Sequence, residues 1–284
     1  MDDSVMMALR KASEIRRLYK INAYHPLNIY DLCSQMGITV RFVEINMEGM
    51  YFIQNDGSSP QILISNQRPF PRRAYTCAHE LGHHLFKHGS KVDHMTEESS
   101  KGYDGDEFIV DAFAGALLMP VAAVLAAFAK RDWNINSASQ LQFYIIASTF
   151  GIGYRTLITH CQKNNILNPW AAKTLMKYTP AKILEIIIGT DHANSHFKIL
   201  DELNSARVVD LEVNNFIILP ETATWEGNHL TKVKSTPSGA VYLAEKPGIT
   251  RIVGSAASES YFVRVQNAAY IGLAEFRHLE NPTD

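Results

Sequence analysis

The sequence predicts an α+β protein built from three successive segments, and three observations carry that expectation. Helical periodicity runs through the first 128 residues but is interrupted by short alternating strands between residues 38 and 65. From Trp133 to Leu184 the pattern is helical and acidic residues vanish. Beyond about residue 185, strand-like runs mix with a few helical ones. The expected segments are therefore 1–128, 129–184 and 185–284, and 284 residues suffice for two or three small domains.

Taken in order, residues 3–19 place Val5, Met6, Leu9, Ile15 and Leu18 on roughly one helical face. Pro26 and Gly37 bracket a second helix, following the tendency of Pro to enter and Gly to leave. Residues 38–44 read as a strand. Two more follow near 50–54 and 61–65, separated by the hairpin signal Asn55-Asp56-Gly57. A helix is expected from about Arg73 to His88, stopping at Gly89, then a polar loop over 90–106. The next helix runs from Glu107 to Met119, ahead of Pro120, with a short one near 121–129. Strand-like segments recur at 207–213, 215–219, 240–244 and 261–265.

Composition is that of a globular chain, 46% apolar and 20% charged, with a net charge of −2 that selects no partner. Cys33, Cys77 and Cys161 are an odd number and share no close spacing, which argues against a disulfide framework or a thiolate metal site. No apolar run precedes Arg10, so no signal peptide is expected. The apolar stretch Gly115–Phe128 is 14 residues long, holds a Pro and is too short to span a bilayer. The expected location is the cytoplasm, with no membrane partner.

His79-Glu80-Leu81-Gly82-His83 is the stretch with a chemical reading. Residues four apart share a helical face, so His79 and His83 can hold one metal ion. Glu80 can act as general base toward an attacking water, whose pKa a zinc ion lowers to about 7. Ala74, Cys77, Ala78, Leu81 and Leu85 supply an apolar back to this helix.

A third ligand is expected from Glu107, with 23 residues between it and His83. Asp111, one turn later, can hydrogen-bond a ligating histidine and fix its tautomer. A charged first turn favoured by the helix dipole explains the same carboxylates without a metal. Asp104, Asp106, Glu97, Glu98 and His94 are the other candidates. His88 follows His83 by five, so the HExxHxxGxxH pattern is absent. His84 and His88 read as solvent-facing. Cys77 points away from the histidine face, and Cys33 or Cys161 could block an open metal position. Gln61–Ser65 is the candidate edge strand for holding an extended peptide, or else an ordinary strand of the sheet.

These residues resemble a family. Ala74-Tyr75-Thr76-Cys77-Ala78-His79-Glu80-Leu81-Gly82-His83-His84-Leu85 is similar to the FTLAHELGHHL helix of the ImmA/IrrE metallopeptidases. Glu107 to Pro120, ending Ala112-Phe113-Ala114-Gly115-Ala116-Leu117-Leu118-Met119-Pro120, resembles their E-x-x-x-N-x-F-A-x-x-LLMP helix. The resemblance covers roughly residues 5–165. It implies a zincin-like domain with His79, His83 and Glu107 on Zn2+ and Glu80 catalytic. Departures are Tyr75 for the usual Phe, Cys77 for Leu and Asp111 for the common Asn. The family implies cleavage of a helix-turn-helix repressor, in IrrE-type DNA-damage responses or CapP-type anti-phage defence in CBASS operons.

Ser139–Asn164 reads as helix, turn and helix, with Gly151-Ile152-Gly153 as the turn, where the family places a helix-turn-helix. A structural helical hairpin has the same pattern. The second helix offers Arg155, Thr156, Thr159, His160, Gln162 and Lys163 outward. The 52 acid-free residues also carry Lys173, Lys177 and Lys182, which suits DNA or an acidic partner. The last segment bears no catalytic motif. Relatives carry a sensor-like, GAF-like domain there, and Tyr242, Tyr261, Phe262, Arg264, Tyr270 and Phe276 read as core and rim or as a pocket lining.

The expected function is zinc-dependent, site-specific hydrolysis of a helix-turn-helix repressor, with single-stranded DNA as a possible activator. The rivals are a DNA-binding transcription regulator with a structural or residual zinc site and a broad housekeeping protease. Tyr103 and His84 are candidates for stabilising the oxyanion.

Overall fold

The computed structural model describes residues 3–53, 57–88, 91–93, 105–189, 196–254 and 260–279. Contacts divide the chain into two compact units. One runs to Pro120 and takes back Ala269–Arg277; the other spans Val121–Ala268.

The first unit opens with helix α1 (Asp3–Leu18), which buries Ala8, Ala12, Ile15 and Arg16. Arg16 is only 4% exposed, yet its guanidinium donates to the carbonyls of Leu117 (2.6 Å), Asn22 (2.8 Å) and His25. Burial pushes its pKa down to about 10. Helix α2 (Ile29–Gln35) starts three residues after Pro26, because the Asn28 side chain accepts from the amides of Tyr30 and Asp31. Strands β1 (Thr39–Val43), β2 (Gly49–Phe52) and β3 (Gln61–Ser65) follow, close to expectation. The expected turn at Asn55-Asp56 lies outside the described residues.

Helix α3 (Phe70–Phe86) begins earlier than the sequence suggested, because Pro71 is tolerated in the first turn. It ends not at Gly89 but at Lys87, which takes the left-handed conformation (φ 60°) and donates its amide to the carbonyls of His83 and His84. Within the expected loop 90–106 lies a strand, β4 (Lys91–Asp93), which pairs with β2. Helix α4 (Gly105–Leu118) packs against both α1 and α3.

The sheet runs from the returning strand Gly272–Leu273 through β1, β3 and β2 to β4. β1 and β3 are parallel and the other pairs antiparallel. Gln61–Ser65 is therefore an interior strand, and its expected role as a peptide-binding edge is corrected: both of its sides are hydrogen-bonded. The C-terminal return is locked to this unit. Asn66 donates to the Ala269 carbonyl (2.8 Å), Tyr270 meets Phe42 edge-on, and buried Arg277 lies 4.8 Å from the Tyr30 ring centroid.

The second unit starts with α5 (Val121–Ala129), α6 (Gln140–Phe150), α7 (Tyr154–Lys163), α8 (Pro169–Leu175) and α9 (Pro180–Ile188). Ser139 and Gln142 form a reciprocal capping box at the start of α6, and Gly151 (φ 69°) closes it. Strands β5 (Phe197–Ile199), β6 (Val208–Glu212), β7 (Phe216–Leu219), β8 (Thr224–Glu226), β9 (Leu230–Thr236), β10 (Gly239–Ala244), β11 (Gly248–Val253) and β12 (Tyr261–Gln266) complete it. They form two sheets, β5-β7-β10-β9 and β6-β12-β11-β8. One apolar cluster joins them, including Val209, Leu211, Ile217, Leu219, Tyr242, Ile252 and Val263. The helical hairpin is bound to these sheets by the Tyr144 ring, which stacks on Phe197 of β5 at 4.1 Å, and Arg131, just after α5, donates twice to Asp201 (2.6 Å each).

Of the aromatic set that read as core and rim or as a pocket lining, only part keeps to the second unit. Tyr242 and Tyr261 are core, Phe262 is 46% exposed, and Tyr270 and Phe276 belong to the first unit. Gly105–Ala129 is long and apolar enough to cross a membrane by composition, longer than the stretch counted from sequence. More than half of its most apolar window (56%) is buried, as in a core helix.

Candidate metal centre

His79 and His83 lie one turn apart on α3 and are 5% and 0% exposed. Their Nε2 atoms face each other at 3.2 Å. Glu107, in the first turn of α4, reaches both: Oε2 lies 3.1 Å from His79 Nε2 and Oε1 lies 3.5 Å from His83 Nε2. All three ligand atoms fall within 4.8 Å of one another. A tetrahedral ion with bonds of ~2.0–2.1 Å requires ligand atoms ~3.3 Å apart. Two imidazoles and a carboxylate at these spacings thus fit a divalent transition metal.

The convergence depends on how closely α3 and α4 approach. A Cβ built on Gly82 would stand 2.9 Å from Val110 Cβ and 3.2 Å from Phe113 Cδ1. Only a residue without a side chain lets the backbones meet there. Gly82 lies between the two histidines, and Val110 lies between Glu107 and Asp111, so this contact sets the two halves of the site together.

The contacts with His79, then with His83, hold the Glu107 carboxyl well below the usual carboxylate range, against the opposing effect of burial. His79 Nδ1 lies 3.1 Å from Asp111 Oδ1, as expected for a carboxylate that fixes the ring's tautomer. Tyr75 adds a contact that the sequence did not suggest. Its hydroxyl donates to the Asp111 carbonyl (3.1 Å) and approaches Asp111 Oδ1 (3.5 Å).

Glu80 is fully buried where β2 crosses α3. A Cβ at Gly49 would lie 2.8 Å from Thr76 Cγ2 and 3.4 Å from Glu80 Cγ, so β2 rests directly on the helix beside this carboxylate. Two strand residues further on, Tyr51 shares a 2.8 Å hydrogen bond with His84 Nδ1, and the rings meet edge-on. Burial lowers the His84 pKa. Tyr51 was missed in the sequence, although alternation along β2 puts it on the same buried side as Gly49.

His88 corrects an expectation. Rather than facing solvent, it is 12% exposed, and its Nδ1 lies 3.1 Å from His83 Nδ1. Its Nε2 lies 3.5 Å from Asp106 Oδ1. The left-handed turn at Lys87 folds it back, and the His88 amide donates to the His83 carbonyl.

The other candidates separate cleanly. His94, Glu97, Glu98, Tyr103 and Asp104 lie outside the described residues. Cys77 is buried on the back of α3 with its Sγ 3.8 Å from that of Cys33, so neither serves as a blocking ligand. Cys161 is buried within α7.

Residues 33–159 match the Peptidase M78 family, described as the IrrE N-terminal-like domain. Over that span the chain is ImmA/IrrE-like. No curated protein matches the chain. The IrrE-like domain is metallopeptidase-like and contains every site residue described above, while α1 and the eight strands β5–β12 lie outside the match.

Proposed function

We propose that the protein is a zinc-dependent endopeptidase of the cytoplasm, with His79, His83 and Glu107 as the ion's ligands and Glu80 as the proton carrier. The observation that carries this reading is the meeting of three candidate ligand side chains from two helices, with contacts of 3.1, 3.2 and 3.5 Å. Two histidines and a glutamate match catalytic zinc sites, which keep a fourth position open. When bound there, zinc supplies Lewis-acid activation of a water and of the scissile carbonyl. Glu80 accepts the proton of the attacking water and returns it to the leaving amine. Asp111 keeps the His79 ring in the tautomer whose Nε2 lone pair faces the ion.

The substrate in this reading is a helix-turn-helix repressor, whose cleavage induces a stress, DNA-damage or anti-phage response. The likeness of residues 33–159 to the IrrE-type domain supports it. A second reading, a DNA-binding regulator with a residual zinc site, draws on the acid-free segment. Arg155, Lys163, Lys173, Lys177 and Lys182 are all exposed there, as a polyanion-binding surface requires. Residues 129–184 then act as a helix-turn-helix segment and 185–284 as a sensor-like domain.

Cleavage of a repressor encoded beside this gene tests the choice. Wild type should cut it and Glu80→Gln should not, with zinc bound in both. No cleavage by zinc-loaded wild type, together with salt-sensitive DNA binding, would favour the regulator.

A further inference from the structure

We infer that His88 is a positioning residue for the metal ligand His83, held in turn by Asp106. This inference rests on the ligand set just proposed.

A histidine that binds a metal through Nε2 carries its remaining proton on Nδ1 and needs an acceptor for it. For His79 that acceptor is a carboxylate, Asp111. For His83 the partner is another imidazole, His88 Nδ1 at 3.1 Å. A neutral imidazole accepts at one nitrogen and donates from the other. If His83 Nδ1–H donates, His88 Nδ1 accepts and its own proton sits on Nε2. That nitrogen faces Asp106 Oδ1 at 3.5 Å, within ion-pair range but longer than an ordinary hydrogen bond. The chain Asp106–His88–His83 therefore has one consistent assignment of protons, and it leaves His83 Nε2 free to bind.

His88 is held as an orienting group should be. Its amide donates to the His83 carbonyl (3.1 Å). Its ring stacks on Phe86 at 5.8 Å with 23° between planes, and Phe86 packs edge-on against Phe113 of α4. The fold accepts a left-handed non-glycine residue, Lys87, to bring it there. His88 is not a fourth ligand in this arrangement. It meets His83 at Nδ1, whereas the ion's side is Nε2, which faces His79 and Glu107.

The test is zinc affinity of the full chain by chelator competition, for wild type, His88→Phe, His88→Gln, Asp106→Asn and Glu107→Ala. Phe keeps the stacking and lacks an acceptor; Gln restores an acceptor. His88→Phe should weaken zinc binding about 10–100-fold, and His88→Gln should recover most of it. Asp106→Asn should cost less, in keeping with its longer contact. In zinc-loaded wild type, 15N-edited spectra should show a slowly exchanging His83 Nδ1–H in contact with His88, and His88→Phe should lose that signal. Wild-type affinity and an unchanged His83 signal in His88→Phe would overturn the inference while leaving the ligand set intact. Failure of wild type to bind one zinc, or wild-type affinity in Glu107→Ala, would instead remove the ligand set and the inference with it. Should His88→Phe not fold, the wild-type spectrum and His88→Gln decide: absence of the His83–His88 contact refutes it.

Discussion

Gly82 of α3 and Val110 of α4 meet so closely that a single added methyl would sit 2.9 Å from the valine Cβ. Gly82→Ala must therefore push α4 away or bend α3, moving Glu107 and Asp111 relative to the histidines. Overpacking of this kind costs about 1–3 kcal/mol. The expected result is a lower melting temperature with weaker zinc binding. An alanine variant with unchanged stability and affinity would show that the helices yield without disturbing the site.

Under the proposed ligand set, Glu107 and Asp106 are neighbours with different tasks. Glu107→Ala should empty the metal position, whereas Asp104→Ala and Asp106→Ala should stay filled at saturating zinc. Metal analysis of the purified variants separates these cases. Full zinc in Glu107→Ala would end its assignment as third ligand.

Asp111 and Tyr75 form the outer support of His79. Asp111→Ala should cost about 10–100-fold in metal affinity. Tyr75→Phe, which removes only a hydroxyl contact to Asp111, should cost much less. Equal losses in the two variants would mean that Asp111 reaches His79 only when the Tyr75 hydroxyl holds it.

Lys198, buried on β5, gives the second unit a pH signature. Burial pushes its pKa down to about 8, with Asp210 opposing. The unfolded chain, near 10.4, then holds more protons between pH 8 and about 10.5, so stability rises with pH across that window. The penalty, up to about 3 kcal/mol, applies fully below pH 8 and disappears above about 10.5. Denaturation of wild type and Lys198→Met at pH 7.5 and 10 should show the wild type gaining on the variant at the higher pH. A constant difference would contradict this.

The cysteines should be inert in the folded protein. All three are buried, and burial pushes the thiol pKa of Cys161 up to about 12 and that of Cys77 well above its ordinary value. Thiol reagents should label none in the native state and three after unfolding. Fast labelling of Cys77 in the native protein would show that α3 opens readily.

Much of the site was legible because it is local. A spacing of four on a helix places His79 and His83 on one face whatever the surrounding fold. The same holds for Glu107 and Asp111 on α4. Strands β1 and β3 showed as alternating runs, but β4, β5, β8, β9 and β11 did not; β11 alternates in burial yet places Gly248 and Thr250 on its buried side and Ile249 on its exposed one. β4 is three residues long, and β8 and β9 expose most of their side chains, so no apolar alternation marks them.

By itself, then, the sequence determined the residues within each helix that can share a metal, because helix geometry translates spacing into direction. Tertiary structure alone decided that β3 is interior and β4 an edge, that His88 folds back onto His83, and that residues 269–277 rejoin the first unit. It also decided that Gly82 is where α3 and α4 touch. Each of these pairs residues through packing or hydrogen bonds between separate elements, where chain spacing carries no direction and close fit chooses the partner.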